Sequence, residues 1–384
     1  MKIAIMAPLV TAIREPQRGG SQAFVSDLAR GLTGRGHDVH VYAASGSQIP
    51  GVEVIDTGVD PAALAGTLYR APGYGGRGGY GGAGPPVREE FCGPEPAVAE
   101  SAAAAAESAF TAAYMTMQVI RYDVIHNHAF DAPAVRLATA LHEPVVHTLH
   151  LPPDEVVAAA LRQAAQSGRP PTLAAVSVFQ ANAWRRIVPV DAVLPPYVPT
   201  RVIPWSRTAG DGAVFAGRLS PEKGAAEAID IARAAGVPID VYGDACDAEY
   251  SRDRIDPRRD WPGVTVHRAV PRPSVWAAMA RAAVVLYPVR WDEPFGMAAA
   301  EAQACGTPVV GFRRGGLSEV IADGVTGFLV PPDDVGAAVE AVGRTAGISR
   351  SACRDHAESH LDLERSLDAH ERLYRRVVSA GDGR

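Results

Sequence analysis

The sequence predicts an α/β protein built from two doubly wound parallel-sheet domains, and three observations carry that expectation. Short apolar runs alternate with helical patterns from end to end, a βαβ rhythm that requires parallel strands with helices on both faces. The rhythm comes as two series, separated by Leu194-Pro195-Pro196-Tyr197-Val198-Pro199 and Val202-Ile203-Pro204-Trp205. So many prolines fit neither a central strand nor a helix interior. The length of 384 residues also exceeds what one ordinary core organises.

In the first series Lys2-Ile3-Ala4-Ile5-Met6 reads as a strand. Apolar side chains at 24, 25, 28, 29 and 32 then follow a helical period. Gly36-His37-Asp38 turns into a second strand over 39–42, and 123–126, 144–148 and 173–176 read as later strands, each followed by a helical pattern. The second series places strands at 213–216, 238–242, 264–267, 284–286, 309–310 and 328–330. A charged amphipathic pattern over 361–379 reads as a final helix. The expected organisation is an N-terminal domain over 1–195, a linker over 196–208 and a C-terminal domain over 209–360, with a helix at about 361–380 packing back on the N-terminal domain. Residues 73–84 hold eight glycines with Tyr74 and Tyr80. That composition excludes regular structure; it reads as an irregular insertion or as a flap whose two tyrosines touch an acceptor.

Composition narrows the function classes. Apolar residues make up 47% and charged residues 21% of the chain, the balance of a soluble globular protein. The net charge is −6 with no long basic run, which argues against nucleic-acid binding. Cys92, Cys246, Cys305 and Cys353 are scattered, which indicates neither a zinc site nor a disulfide framework. The apolar start, Met1 to Val10, is one strand long, and no segment reaches the ~20 apolar residues that span a bilayer. The expectation is a cytoplasmic protein without integral membrane contact, as a monomer or homodimer.

Two stretches carry chemistry. Glu293-Pro294-Phe295-Gly296-Met297-Ala298-Ala299-Ala300-Glu301 places two carboxylates eight positions apart around a turn and the start of a small-residue helix. Glu293 is expected just before that helix, and Glu301 about two turns into it, ~12 Å along the axis. The first turn offers backbone N–H groups and the positive end of the helix dipole, which suits a diphosphate. Hydroxyls on either side of the diphosphate would meet the two acids, and a nucleotide sugar has that layout. The second stretch, Gly217-Arg218-Leu219-Ser220-Pro221-Glu222-Lys223-Gly224, follows the first strand of the second series. It places two cations where such sheets bind ligands, with Arg218 able to fork onto phosphate oxygens and Lys223 supplying a point charge.

His126, His128, His147 and His150 fall at the ends of two predicted strands without carboxylate or cysteine partners, which argues against a metal. His126 reads as a hydrogen-bonded core residue. His128, past the strand end, is the functional candidate, and His150 a candidate acceptor contact.

With these residues in view, the chain resembles the GT4 family of retaining glycosyltransferases, which have the GT-B fold: two Rossmann-like domains facing a central cleft. The resemblance rests on Gly-Arg-Leu and Lys223-Gly224, on the run from Glu293 to Gly311, on Gly315-Gly316-Leu317-Ser318-Glu319-Val320-Ile321, and on Gly324-Val325-Thr326-Gly327-Phe328-Leu329-Val330. Gly19-Gly20, Gly36-His37-Asp38-Val39 and Asp123-Val124-Ile125-His126-Asn127-His128 carry it in the first half.

The resemblance implies a nucleotide diphosphate sugar as donor, with UDP the first expectation and GDP or ADP behind it. It implies that Arg218 and Lys223 neutralise the diphosphate, that Glu301 holds the ribose hydroxyls and Glu293 the sugar hydroxyls, and that backbone at Phe295, Gly296, Met297 and Ala298 meets phosphate and sugar. Gly20 would allow close backbone approach to the phosphates, and His128 would lie beside the sugar. The loop Val266-His267-Arg268-Ala269-Val270 would reach the base. The chain departs from the family pattern at Pro196-Tyr197, where Asn-Gly is usual, and at Tyr242-Gly243-Asp244-Ala245-Cys246, a reduced glycine turn. No Asp-x-Asp motif occurs, so the expectation is metal-independent transfer with no cofactor beyond the nucleotide sugar. A small-molecule acceptor in bacterial secondary metabolism is the favoured reading. The alternatives are a non-catalytic nucleotide-sugar-binding protein and a GT-B sugar-nucleotide epimerase or phosphorylase.

Overall fold

The computed structural model describes residues 1–64 and 96–381. Cys92, Tyr74, Tyr80 and the glycine-rich stretch lie outside these residues.

One sheet comprises β1 (Lys2–Met6), β2 (Asp38–Ala43), β3 (Glu53–Asp56), β4 (Val124–Asn127), β5 (Val145–Leu149), β6 (Thr172–Ala175) and β7 (Ala192–Val193). Its order is β3-β2-β1-β4-β5-β6-β7, with every pairing parallel. The second comprises β8 (Ala213–Ala216), β9 (Ile239–Tyr242), β10 (Val264–His267), β11 (Val284–Tyr287), β12 (Val309–Phe312) and β13 (Gly327–Val330). Its order is β10-β9-β8-β11-β12-β13, again parallel throughout. Central strands of such sheets are covered on both faces, and β1, β4, β5, β11 and β12 are accordingly almost entirely buried.

Helices over the first sheet are α1 (Gly20–Gly34), α2 (Pro61–Leu64), α3 (Pro96–Ile120), α4 (Ala132–Ala138), α5 (Glu155–Ala165) and α6 (Val178–Trp184). The second sheet carries α7 (Ala225–Ala234), α8 (Ala248–Tyr250), α9 (Asp256–Arg259), α10 (Arg272–Arg281), α11 (Met297–Ala304), α12 (Leu317–Val320), α13 (Val335–Arg344) and α14 (Arg350–His360). The last helix, α15 (Leu363–Gly381), lies on α1 and β4 of the first domain. Its Leu367, Leu373 and Tyr374 enter that domain's core, and Arg35, just past the end of α1, pairs with Glu364 and Asp368 on its polar side.

The chain between the sheets is held rather than loose. Val198 N donates to Leu361 O (2.8 Å), and Leu363 N donates to Val198 O (2.9 Å). Arg354 and Arg350 of α14, both buried, donate to Thr200 O (2.8 Å), Ile203 O (3.1 Å) and Ser206 O (2.8 Å). Two guanidiniums thereby satisfy carbonyls that the prolines of this stretch leave without ladder partners.

Candidate functional site

In both sheets the strand order reverses beside the first strand, between β1 and β4 and between β8 and β11. The crevice beyond the carboxyl ends of strands at such a switch point is where open α/β sheets bind ligands. In the second domain β8 leads into the Gly217–Gly224 loop and β11 leads toward Glu293, so topology alone brings the two charged stretches together.

Lys223 Nζ donates to Glu293 Oε2 at 2.6 Å, and Trp291 Nε1 donates to the same oxygen at 2.7 Å. The Lys223 ammonium lies 4.7 Å from the Trp291 ring centroid. The buried Tyr287 phenol lies beside Glu293; burial and then the adjacent carboxylate push it well above the ordinary tyrosine range. Beside this group, Arg218 Nη2 and Ser220 Oγ both donate to Glu222 Oε1, at 3.0 and 2.6 Å. Burial raises the Glu222 pKa, but Arg218, Ser220 and Lys223 outweigh it and hold the carboxyl below its usual range. Both cations therefore sit preorganised against carboxylates, with side chains 20% (Arg218) and 14% (Lys223) exposed.

The helix expected after Glu293 begins at Met297, with Gly296 in the left-handed region at φ 103°. A side chain there is excluded twice, by that φ and by Leu317 Cδ2, which would lie 2.5 Å from a Cβ. Gly315 closes over the backbone of Glu293 at φ 58°, and Gly316 N donates to Glu293 O at 2.7 Å. Gly20, at the start of α1, faces Met297 across the cleft, where a Cβ would lie 3.3 Å from its sulfur. Gly19 is close to Arg218 Nη1, 3.8 Å from where its Cβ would be. Gly20, Arg218, Met297 and the free N–H groups of the first turn of α11, including Ala298, thus converge on one place, with Phe295 buried just before it.

Glu301 is the fifth residue of α11, not two turns in: the helix starts four residues before it, ~6 Å along the axis. Its Oε1 accepts from Arg272 Nε (3.0 Å) and Nη2 (2.7 Å). Arg272 Nη1 donates to Asp27 Oδ2 of α1 at 2.9 Å, which joins the two domains. Burial raises the Asp27 carboxyl above its usual range, with Arg272 offsetting part of that shift. The sequence reading missed Asp27, Arg272, Tyr287 and Trp291. An arginine directly after Pro271 was visible, but nothing local pairs it with a residue 245 positions away.

Arg268 lines a cavity of about 550 Å³ with Gly243, Asp244, His267 and, from the first domain, Arg18. Asp244 Oδ1 accepts from Ala269 N at 3.1 Å, which fixes the loop that lacks the usual glycine. His267 stacks on Tyr242 at 4.5 Å and 9°, with Nε2 2.8 Å from Asp240.

The switch point of the first domain is filled differently. His126 uses both ring nitrogens, on Tyr374 OH (2.6 Å) and Thr148 Oγ1 (2.7 Å). His128 is fully buried, with Nδ1 2.8 Å from His150 Nε2 and Phe24 packed edge-on. Burial, and then the neighbouring histidines, push His128 well below the usual imidazole range. Burial takes His147 to about 4, His150 to about 3 and His370 to about 4. His128 and His150, expected to face sugar and acceptor, are packed side by side in this closed cluster. The cavity touching His150 is about 20 Å³, enough for no more than a water. Among the described residues no group of three histidine, cysteine or acidic side chains is placed to hold a metal, and no helix is long and apolar enough to cross a membrane.

Two family models match: the one described as Glycosyltransferase Family 4 over residues 18–202, and Glycosyl transferases group 1 over residues 210–346. A D-inositol 3-phosphate glycosyltransferase from Acidothermus cellulolyticus is 28% identical, over 89% of this chain and 82% of its own. Among solved structures, sucrose-phosphate synthase from Thermosynechococcus elongatus superposes with a TM-score of 0.74 at 19% identity, covering 99% of this chain and 100% of that one. Anabaena HepE in complex with UDP-glucose gives a TM-score of 0.69 at 18% identity, over 99% and 100% of the two chains. These likenesses establish the GT-B architecture, with the cleft between the two sheets.

Proposed function

The chain belongs to the GT4 family of glycosyltransferases, and from that premise we propose that it transfers a sugar from a nucleoside diphosphate sugar to a small hydroxylated acceptor, with retention at the anomeric carbon. The observation that carries this reading is the convergence of Arg218, the Lys223–Glu293 pair and the N-terminus of α11 opposite Gly20. Charge builds on the diphosphate as the glycosidic bond breaks. Cations already held in place stabilise that charge without reorganising at the moment of reaction. Glu293, held by Lys223 and Trp291, is the acid we assign to sugar hydroxyls.

Among the described residues, the carboxylates beside this group are each tied to a cation, and none is arranged as a covalent nucleophile. We assign same-face attack: the acceptor oxygen bonds to the anomeric carbon as the carbon–phosphate oxygen bond breaks, and the acceptor's proton passes to the departing phosphate. His128 Nε2 is buried without a partner among the described residues, and we assign it to a sugar hydroxyl that reaches it once the packing around the histidines opens. Arg218 and Lys223 supply the charge a metal would otherwise bring, so we propose metal-independent turnover that a chelator leaves unchanged.

UDP-glucose in HepE and the inositol phosphate named for the Acidothermus relative support a UDP-sugar donor and a small polyol-like acceptor, as in specialised metabolism. Among the described residues Cys246, Cys305 and Cys353 form no disulfide, which supports a cytoplasmic setting. The test is incubation with UDP-, GDP- and ADP-sugars and polyol acceptors, with the product anomer read by NMR. Retention of the donor's anomeric configuration is expected; an inverted product contradicts the mechanism.

A further inference from the structure

We infer that Arg272 is a positioning residue that presents Glu301 to the nucleotide ribose while tying it to Asp27 of the opposite domain, so that ribose recognition is read across the cleft. The inference rests on the proposed role of Glu301. Three observations support it.

The first is geometry. Arg272 donates twice to one Glu301 oxygen, Oε1, and once to Asp27 Oδ2, and its backbone N donates to Glu15 Oε2 at 3.0 Å. Among the described residues no bond is made to Glu301 Oε2, which leaves it to a vicinal diol. Two N–H groups of a planar guanidinium converge on Oε1 while the third engages Asp27, which fixes the position of that oxygen more closely than a lysine ammonium could.

The second is burial and charge. The Arg272, Asp27 and Glu301 side chains are 12%, 5% and 11% exposed. Arg272 lies between two carboxylates in a poorly solvated place, with Arg30 acting on Asp27 only through space. Hydroxyl donors arriving at Oε2 take the lone pairs that Arg272 leaves open; losing Arg272 lets the carboxylate turn away, and neutralising Asp27 loosens Arg272.

The third is register. Gly20 and Asp27 lie seven positions apart on α1 and share a face, and Met297 and Glu301 lie four apart on α11 and share a face. The Gly20–Met297 contact at the phosphate end and the Asp27–Arg272–Glu301 bridge are therefore two rungs of one α1/α11 contact. A nucleotide that fits its phosphate to the first rung sets its ribose against the second.

The experiment measures binding of UDP, GDP and ADP to the wild-type protein, and compares the tightest with its 2′,3′-dideoxy counterpart. The ratio of the two affinities is followed in Arg272→Gln, Asp27→Asn and Glu301→Ala, with thermal unfolding to confirm that each variant is folded. The wild-type protein is expected to prefer the ribonucleotide by about tenfold or more, and Glu301→Ala to abolish the preference. Arg272→Gln and Asp27→Asn are each expected to lower it by about threefold or more. Asp27 cannot reach the ribose except through Arg272, so its effect on the ratio separates positioning from a merely structural role. A wild-type ratio retained in either variant overturns the proposal while leaving the reading of Glu301 in place. A wild-type protein that binds both nucleotides equally removes the reading of Glu301, and the proposal with it.

Discussion

The two domains share a fold and a switch point but fill that point with opposite chemistry. Beyond β8 and β11 lie ion pairs: Arg218 with Glu222, Lys223 with Glu293, Arg272 with Glu301. On and just beyond β4 and β5 lie buried histidines held neutral: His126 and His147 within the strands, His128 and His150 past their ends. Fold therefore fixes where a ligand goes, and side-chain charge fixes which part of it. A diphosphate needs preorganised cations, whereas a neutral sugar or polyol needs hydrogen-bonding groups that do not draw the diphosphate to the wrong side.

The largest effect should come from the charged crevice. Lys223→Ala is expected to cut turnover by about 10²-fold or more and to destabilise the fold by up to ~3–5 kcal/mol, because Glu293 is left buried without its counter-ion. Adding Glu293→Gln should restore stability, measured by urea unfolding, without restoring turnover. Full activity in Lys223→Ala would break the comparison.

Next, Glu301→Ala should weaken nucleoside diphosphate binding by about tenfold, whereas Glu293→Ala should mainly lower turnover. Calorimetry and steady-state kinetics separate the two, and unchanged nucleotide affinity in Glu301→Ala would reassign the ribose contact. Gly296→Ala should cost ~1–3 kcal/mol in unfolding experiments through its left-handed φ; equal stability would mean that the start of α11 relaxes freely.

The histidines add an effect that appears only as pH falls. Each has a folded pKa below the unfolded value of about 6.5, so the folded state disfavours the proton. Their stabilising contribution is complete above pH ~6.5 and is lost as pH falls toward about 4 for His147, at most ~1.4 kcal/mol per pH unit for each ring. His147→Met should make the decline in unfolding midpoint between pH 7 and pH 5 shallower. An unchanged slope would show that His147 does not stay neutral in the fold.

Much of the architecture was legible because it is local. Ile3-Ala4-Ile5, Val284-Val285-Leu286 and Val309-Val310 are continuous apolar runs, as doubly covered strands require. The edge strands escaped notice because β3 is half-exposed with an acid at each end rather than a continuous apolar run, and β7 has only two residues. The sequence reading likewise brought Arg218, Lys223, Glu293 and the helix start near one another, since each stands at the end of a recognisable strand. It did not foresee that Lys223 pairs with Glu293, or that Glu301 reaches Asp27 through Arg272, because such pairings depend on how two loops or two domains meet. The packing of His128 against His150 was hidden for the same reason: adjacency of β4 and β5 creates it.

The division of labour between the two crevices is tested most directly by calorimetric titration of UDP, GDP and ADP into the wild-type protein, Lys223→Ala and His128→Gln. These ligands carry the diphosphate but no sugar. The tightest of them should bind about tenfold or more weakly to Lys223→Ala and within about twofold of wild type to His128→Gln. Equal losses in both variants, or a loss confined to His128→Gln, would contradict the assignment of the diphosphate to the charged crevice.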